Sequence, residues 1–138
     1  MKRQIDYIAV HCSATIEGAD FGAHEFRAWH KRKGWADIGY HYVVRLNGKI
    51  ELGRSLGVTG AHVAGFNSKS IGIVYTGGLD NNRKPKDTRT PEQKESLLLL
   101  IRTLKKIFPN AIVQGHRDFP NVRKSCPCFD AKTEYSKI

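Results

Sequence analysis

The sequence predicts a single α/β domain, in which helices cover both faces of a central mixed β-sheet. Short apolar runs alternate with amphipathic segments, which is typical of this class. The 138 residues are 40% hydrophobic, enough for one core that needs no disulfide. No apolar run approaches the roughly 20 residues of a membrane-spanning helix. We therefore expect residues 1–138 to form one domain that does not insert into a membrane, and we expect this domain to be a monomer.

The first strand is predicted from Ile5 to Cys12. Its sequence, IDYIAVHC, is apolar on both faces, as expected for a central strand that is covered on both sides. His11 lies at its carboxyl end and Cys12 points to the opposite face. Taken alone, such a histidine is more often a hydrogen-bonded core residue than a metal ligand.

An amphipathic helix is predicted from Asp20 to Lys33. Asp20 can serve as its N-terminal cap, and a basic run followed by Gly34 is typical of a helix end. His24 and His30 lie on this helix without an acidic or cysteine partner at ligand spacing. We expect surface or packing roles for both histidines.

A β-hairpin is predicted next, with strands from Tyr40 to Leu46 and from Lys49 to Leu52. The Asn47-Gly48 pair between them favours a two-residue type I′ turn. If the hairpin's first strand runs antiparallel to the first strand of the chain, Tyr40 reaches the same sheet edge as His11. Alternation then directs His41 to the other face, as a packing residue.

The second half contains a glycine-rich loop, a strand, a helix and a final strand. The strand covers Ile71 to Thr76. The helix begins at the capping box Thr90-Pro91-Glu92-Gln93 and continues along a broad apolar stripe. Ala111 to Gln114 forms the last short strand, which delivers His116.

Two histidines that follow strands suggest a metal site, because functional groups gather beyond the carboxyl ends of strands in α/β sheets. His11 and His116 could meet there, and Cys126 is near enough to join them. Three protein ligands and one open position are typical of catalytic zinc. Cys128 could replace Cys126 or close the site as a fourth ligand; otherwise it is a small buried residue beside Phe129.

Charge and cysteine content narrow the possible partners. The net charge of +10 favours polyanions such as nucleic acid, an anionic membrane or an acidic cell-wall polymer. No helix-turn-helix, zinc-finger spacing or aromatic-interleaved basic strand supports a nucleic-acid binder. The chain has three cysteines, Cys12, Cys126 and Cys128. Their number is odd, and the single residue between the last two is unfavourable for a mutual disulfide, so free thiols or metal ligation are expected.

Several segments together resemble a known family. These are VHCSAT around His11, RAWHKRKGWADIGYHYVV, GAHVAGFNSKSIGI with the GG that follows, and the terminal KSCPCFD. They are similar to the type 2 N-acetylmuramoyl-L-alanine amidases, a superfamily shared with the peptidoglycan recognition proteins, and above all to the short phage amidases historically called lysozymes. The resemblance runs from about Ile5 to Asp130 and implies their fold.

The resemblance also implies a catalytic zinc centre. One zinc ion per chain would be bound by His11, His116 and Cys126, and zinc lowers the pKa of a bound water to about 7. Tyr40 matches the tyrosine of the G-Y-H motif, and Lys124 matches the lysine two residues before the ligand cysteine. Both are catalytic in the family, and each can donate a hydrogen bond to a tetrahedral oxyanion.

The remaining matches concern the substrate. His62 and Asn67 match positions that line the substrate groove, whereas Cys128 occupies a variable position and is expected to be a bystander. The implied reaction is hydrolysis of the bond between the lactyl group of N-acetylmuramic acid and L-alanine of peptidoglycan, as in a phage or prophage endolysin. The opening residues show no secretory signal, so we expect a cytoplasmic protein that acts on the cell wall after lysis.

A second class of function is a recognition module that binds muramyl peptide without cutting it. Loss of the ligand cysteine is the feature expected of such modules. Cys126 is present in this sequence, which favours the enzyme.

Overall fold

A computed structural model describes residues 2–138, and its central element is a five-stranded sheet. The strands of this sheet are β1 (Tyr7–Cys12), β3 (Tyr42–Val44), β4 (Ile50–Leu52), β5 (Ser70–Tyr75) and β7 (Ile112–Gly115). They lie in the order β4-β3-β5-β1-β7, and only β4 runs antiparallel to its neighbour, so the predicted mixed sheet is confirmed. The helices are α1 (Ala23–Arg32), α2 (Pro91–Ile107) and α3 (Ala131–Glu134).

The two faces of the sheet pack against different helices, as predicted. Ile8 and Val10 of β1 lie in one cluster with Leu97 and Ile101 of α2, all fully buried. On the other face, Phe26 of α1 packs with residues of β3 and β5. Burial of each large apolar side chain contributes roughly 1.5 to 3 kcal/mol, so this double cover holds β1 rigidly at the centre of the molecule.

The start of α2 follows from its sequence. The Thr90 hydroxyl accepts a hydrogen bond from the Gln93 amide at 3.0 Å, and the Gln93 side chain accepts one from the Thr90 amide at 2.9 Å. Gln93 is buried, and its side-chain nitrogen Nε2 donates hydrogen bonds to the backbone carbonyls of Val44 and Thr76. The predicted capping box is therefore confirmed, and it also ties the helix to the sheet.

The predicted cap of α1 is wrong. The helix is capped at Gly22, whose amide donates to the Glu25 carboxylate at 2.7 Å. Asp20 instead forms an ion pair with Arg45 at 3.1 Å. A tertiary partner for the carboxylate therefore replaces the local capping bond that the sequence favoured.

The hairpin forms, but its turn is not type I′. Val44 pairs with Ile50, and the Gly48 amide donates to the Arg45 carbonyl at 2.8 Å. Only Gly48 adopts positive φ (+87°), whereas type I′ requires it at both central residues. The connection is a three-residue loop that ends in a left-handed glycine.

The predicted antiparallel relation between β3 and β1 is also wrong. β5 lies between them, and all three strands run parallel. The sequence also did not predict α3 or the two-stranded sheet of β2 (Thr15–Ile16) and β6 (Gly78–Leu79), which are too short to show a periodic pattern. Across residues 2–138, every helix is too short or too polar to cross a membrane.

Candidate metal centre and active site

Three predicted ligands come together at one point on the sheet. The ligand atoms of His11, His116 and Cys126 all lie within 4.8 Å of one another. His11 is the penultimate residue of β1, His116 follows β7 directly, and Cys126 returns from the loop beyond. His11 is buried, and the cluster lies at the carboxyl ends of β1 and β7, as expected.

The donor atoms fit a zinc ion. His11 Nδ1 lies 3.9 Å from Cys126 Sγ, and tetrahedral zinc with ordinary bond lengths separates its ligands by about 3.3 to 3.8 Å. Imidazole nitrogen and thiolate sulfur are the ligands that zinc prefers. The three side chains could hold one zinc ion, which would leave a fourth position for a substrate or water.

The surroundings of the cluster favour the forms of these side chains that bind metal. Burial, followed by the neighbouring histidines and Lys124, holds the pKa of His11 well below its usual value. Burial and Lys124 likewise lower the pKa of His116. Hydrogen bonding with Cys12 lowers the pKa of the Cys126 thiol, and the Cys12 amide donates to Cys126 Sγ at 3.1 Å. Neutral imidazoles are therefore favoured near neutral pH, and the Cys126 thiol loses its proton more readily than an ordinary cysteine.

Cys128 lies outside the metal cluster. Its sulfur is 3.8 Å from that of Cys12, which belongs to the core on the α2 side of the sheet. The Cys128 thiol donates to the Gly78 carbonyl at 3.3 Å, and burial is the main cause that raises its pKa to about 12. These contacts hold Cys128 as a neutral thiol facing away from the cluster.

A cavity of about 410 Å³ opens over the cluster and contains both predicted catalytic residues. Tyr40 and Lys124 line it together with the three ligands. The Tyr40 ring centroid lies 5.3 Å from that of His11. Burial is the main reason that the pKa of Tyr40 is raised above its ordinary value, so its hydroxyl keeps its proton. Lys124 is exposed at the opening of the cavity.

The two predicted substrate residues occupy different places. His62 lines the cavity, and its Nδ1 lies 2.9 Å from His11 Nε2. Asn67 is not among the lining residues. Its side-chain oxygen accepts hydrogen bonds from the backbone amides of His62 and Val63, both at 2.8 Å. Asn67 thus holds the loop that carries His62.

Sequence reasoning missed an aromatic wall at the far end of the cavity. Trp29, His30 and Trp35 line it with Lys33. The His30 ring lies 4.5 Å from Trp35 and 5.5 Å from Tyr40, centroid to centroid, which links the wall to the metal cluster. His30 packs against Trp35 and Tyr40, as expected, but it also lines the cavity. The sequence signal for this wall was the pair Trp29 and Trp35, which lie on either side of the basic run at the end of the helix.

A second cavity, of about 690 Å³, continues the cleft on the other side of the cluster. The two cavities share His116 and Lys124. Asn121 and the basic Arg123 line the second cavity together with apolar residues that include Phe66 and Val122. The ligand cluster therefore lies near the middle of a cleft that could hold an elongated substrate.

Comparison with known proteins gives one consistent family. The family model of N-acetylmuramoyl-L-alanine amidase matches residues 1–129. An endolysin of Klebsiella phage KP32 is 40% identical over 136 residues, which covers 99% of this chain and 89% of the relative.

Solved structures with a similar fold include an amidase and peptidoglycan recognition proteins. N-acetylmuramoyl-L-alanine amidase LysC from Clostridium intestinale superposes with a TM-score of 0.78 at 27% identity, over 96% of this chain and 82% of that one. The ectodomain complex of peptidoglycan recognition proteins LCa and LCx, bound to tracheal cytotoxin, gives 0.77 at 25% identity, over 99% and 84%. The chain belongs to the N-acetylmuramoyl-L-alanine amidase family.

Proposed function

We propose that residues 1–138 form one amidase domain of the endolysin type. It hydrolyses, with zinc, the amide bond between the lactyl group of N-acetylmuramic acid and L-alanine in peptidoglycan. Family membership supports the amidase activity. The observation that carries the zinc dependence is the cluster of His11, His116 and Cys126, which lines a cavity beside Tyr40 and Lys124.

The residues of the cluster supply the metal-binding groups. His11, His116 and Cys126 would hold one zinc ion per chain. Zinc, when bound, supplies a Lewis acid that polarises a carbonyl and acidifies water to a pKa of about 7. The low pKa values of the two histidines mean that protons compete little for their nitrogen atoms at neutral pH.

Tyr40 and Lys124 are suited to stabilise the negative charge that develops on the amide oxygen. Both line the cavity, and both can donate hydrogen bonds. Loss of one such donor costs about 10²- to 10³-fold in turnover. The raised pKa of Tyr40 makes its hydroxyl a poor base, so we assign it the role of a donor.

His62 and Asn67 would serve substrate binding in different ways. His62 lines the cavity and can contact a muramyl peptide directly. Asn67 would act through the loop backbone, since its side-chain oxygen accepts hydrogen bonds from two amides of that loop. The two cavities would extend along the rest of the substrate.

The cell wall is the proposed site of action. Phage endolysins match nearly the whole chain, and the net charge of +10 favours attraction to an anionic wall. A protein held inside the cell before lysis, monomeric and outside the membrane, is consistent with this role.

The alternative is a module that binds muramyl peptide without cutting it. One structural neighbour is a recognition-protein complex with tracheal cytotoxin, so ligand binding on this fold is documented. The complete ligand cluster of this chain favours hydrolysis.

The test uses the zinc-loaded protein and a synthetic N-acetylmuramyl peptide that begins with L-alanine. Mass spectrometry should detect a free L-alanine amino terminus, and Cys126→Ser should abolish its formation. Binding of the intact peptide without any cleavage would instead establish the recognition module.

A further inference from the structure

His11 takes part in a series of hydrogen bonds that ends at a backbone carbonyl. His11 Nε2 lies 2.9 Å from His62 Nδ1, and His62 Nε2 lies 3.2 Å from the Ser70 hydroxyl. Ser70 is fully buried, and its hydroxyl donates to the Phe66 carbonyl at 2.9 Å. This series of hydrogen bonds therefore begins at His11, a proposed metal ligand. It ends at the Phe66 carbonyl oxygen, which can accept a hydrogen bond but cannot donate one.

The carbonyl fixes the direction of every bond in this series. Ser70 has one hydroxyl hydrogen, which it gives to Phe66, so its oxygen can only accept from His62 Nε2. A neutral His62 protonated on Nε2 has a lone pair on Nδ1. That lone pair accepts the hydrogen of His11 Nε2, which leaves the lone pair of His11 on Nδ1.

The nitrogen left unprotonated is the one that faces the metal cluster. His11 Nδ1 lies 3.9 Å from Cys126 Sγ, whereas Nε2 is already occupied by His62. A metal needs the unprotonated nitrogen of a histidine, and the partner of the other nitrogen sets which one that is.

The fold holds the His62 ring in this position from two sides. A Cβ atom added at Gly72 would lie 2.7 Å from the ring, so only glycine on β5 leaves space for it. On the backbone side, Asn67 accepts the His62 amide hydrogen at 2.8 Å. These contacts constrain the ring independently of any substrate.

We infer that His62 is a positioning residue for the metal centre: together with Ser70, it fixes His11 in the tautomer whose Nδ1 binds zinc. This role rests on the proposed function, because it matters only if the cluster binds zinc. The tautomer of His11 in the zinc-free protein can nevertheless be measured without any peptide hydrolysis. The family resemblance implied only that His62 lines the substrate groove, and the contact with His11 gives it this second role.

The first measurement is the tautomer of His11 in zinc-free protein, read from ¹⁵N chemical shifts of its ring. We expect a proton on Nε2 and none on Nδ1. Ser70→Ala should shift this population, because His62 then loses the acceptor that fixes its own tautomer. A proton on His11 Nδ1 in the unaltered protein would overturn the inference.

The second measurement is zinc affinity, determined by competition with a chromogenic chelator. His62→Leu and Ser70→Ala should each raise the dissociation constant by about 10-fold or more. His62→Asn should bind nearly as well as the unaltered protein, because its amide oxygen can replace Nδ1 as the acceptor. Equal zinc affinity in His62→Leu and the unaltered protein would contradict the inference, whatever the peptide activity of either protein.

Discussion

Replacing Tyr40 with phenylalanine tests the assignment of the oxyanion donors. The change removes one hydroxyl and leaves the ring beside His11 and His30, at centroid distances of 5.3 and 5.5 Å. The ring also packs against the buried cluster of Phe26 and Ile38, which the substitution does not disturb. Folding and zinc content should therefore stay close to those of the unaltered protein.

The expected loss is in turnover. Removal of one of two donors to the oxyanion should lower kcat by about 10²- to 10³-fold, equivalent to about 2.7 to 4 kcal/mol of transition-state stabilisation. KM should change little, because the hydrogen bond strengthens as charge develops. Tyr42→Phe is a matched control, since Tyr42 lies on β3 outside the cavity and packs on the α2 side.

The pH dependence separates a donor from a base. Because burial raises the pKa of Tyr40 above 10, its hydroxyl stays protonated in the working range. The ratio of rates between unaltered protein and Tyr40→Phe should then be constant from about pH 6 to about pH 9. A ratio that grows steadily with pH, or a variant that keeps full kcat, would refute the donor role.

Three further predictions concern the cluster and the core. The Cys126→Ser variant should lose most of its zinc binding. The Cys128→Ser variant should retain zinc and activity, because the thiol of Cys128 faces Cys12 and not the cluster. Comparable loss of zinc in the two variants would show that the ligand assignment is wrong. His41 is buried with a lowered pKa, mainly through burial, so the unfolded chain takes up a proton below about pH 6.5 that the folded chain resists. This group should therefore lower the stability as pH falls from about 6.5 towards 5.5, by at most about 1.4 kcal/mol per pH unit, and urea unfolding should show a smaller fall for His41→Asn. Gln93→Leu leaves the Val44 and Thr76 carbonyls without their side-chain donor and should cost about 1 to 3 kcal/mol in urea unfolding, whereas Glu95→Ala on the exposed face of α2 should cost little.

The predictable parts of the fold were those with local signals. The capping box at Thr90 and the apolar stripe of α2 are written in consecutive residues, and both were confirmed. The Asp20 cap failed because the carboxylate has a partner in Arg45, which lies twenty-five residues away. The order of β3, β5 and β1 was missed because strand neighbours depend on packing between distant segments.

The site shows the same division. The family motifs identified His11, His116 and Cys126, and the structure places their ligand atoms together. Residue types alone could not show that His62 contacts His11 or that Asn67 holds the loop, because both facts depend on side-chain geometry.

The central claim is that this chain cuts the lactyl–alanine bond with a metal held by its ligand cluster. The most direct measurement is mass spectrometry of peptidoglycan digested by the purified protein, by protein treated with a chelator, and by treated protein after zinc is restored. We expect free L-alanine amino termini and intact glycan strands in the first and third digests, and neither product nor glycan cleavage in the second. Glycan fragments that keep their lactyl–alanine bonds, or equal release of L-alanine termini with the metal removed, would contradict the claim.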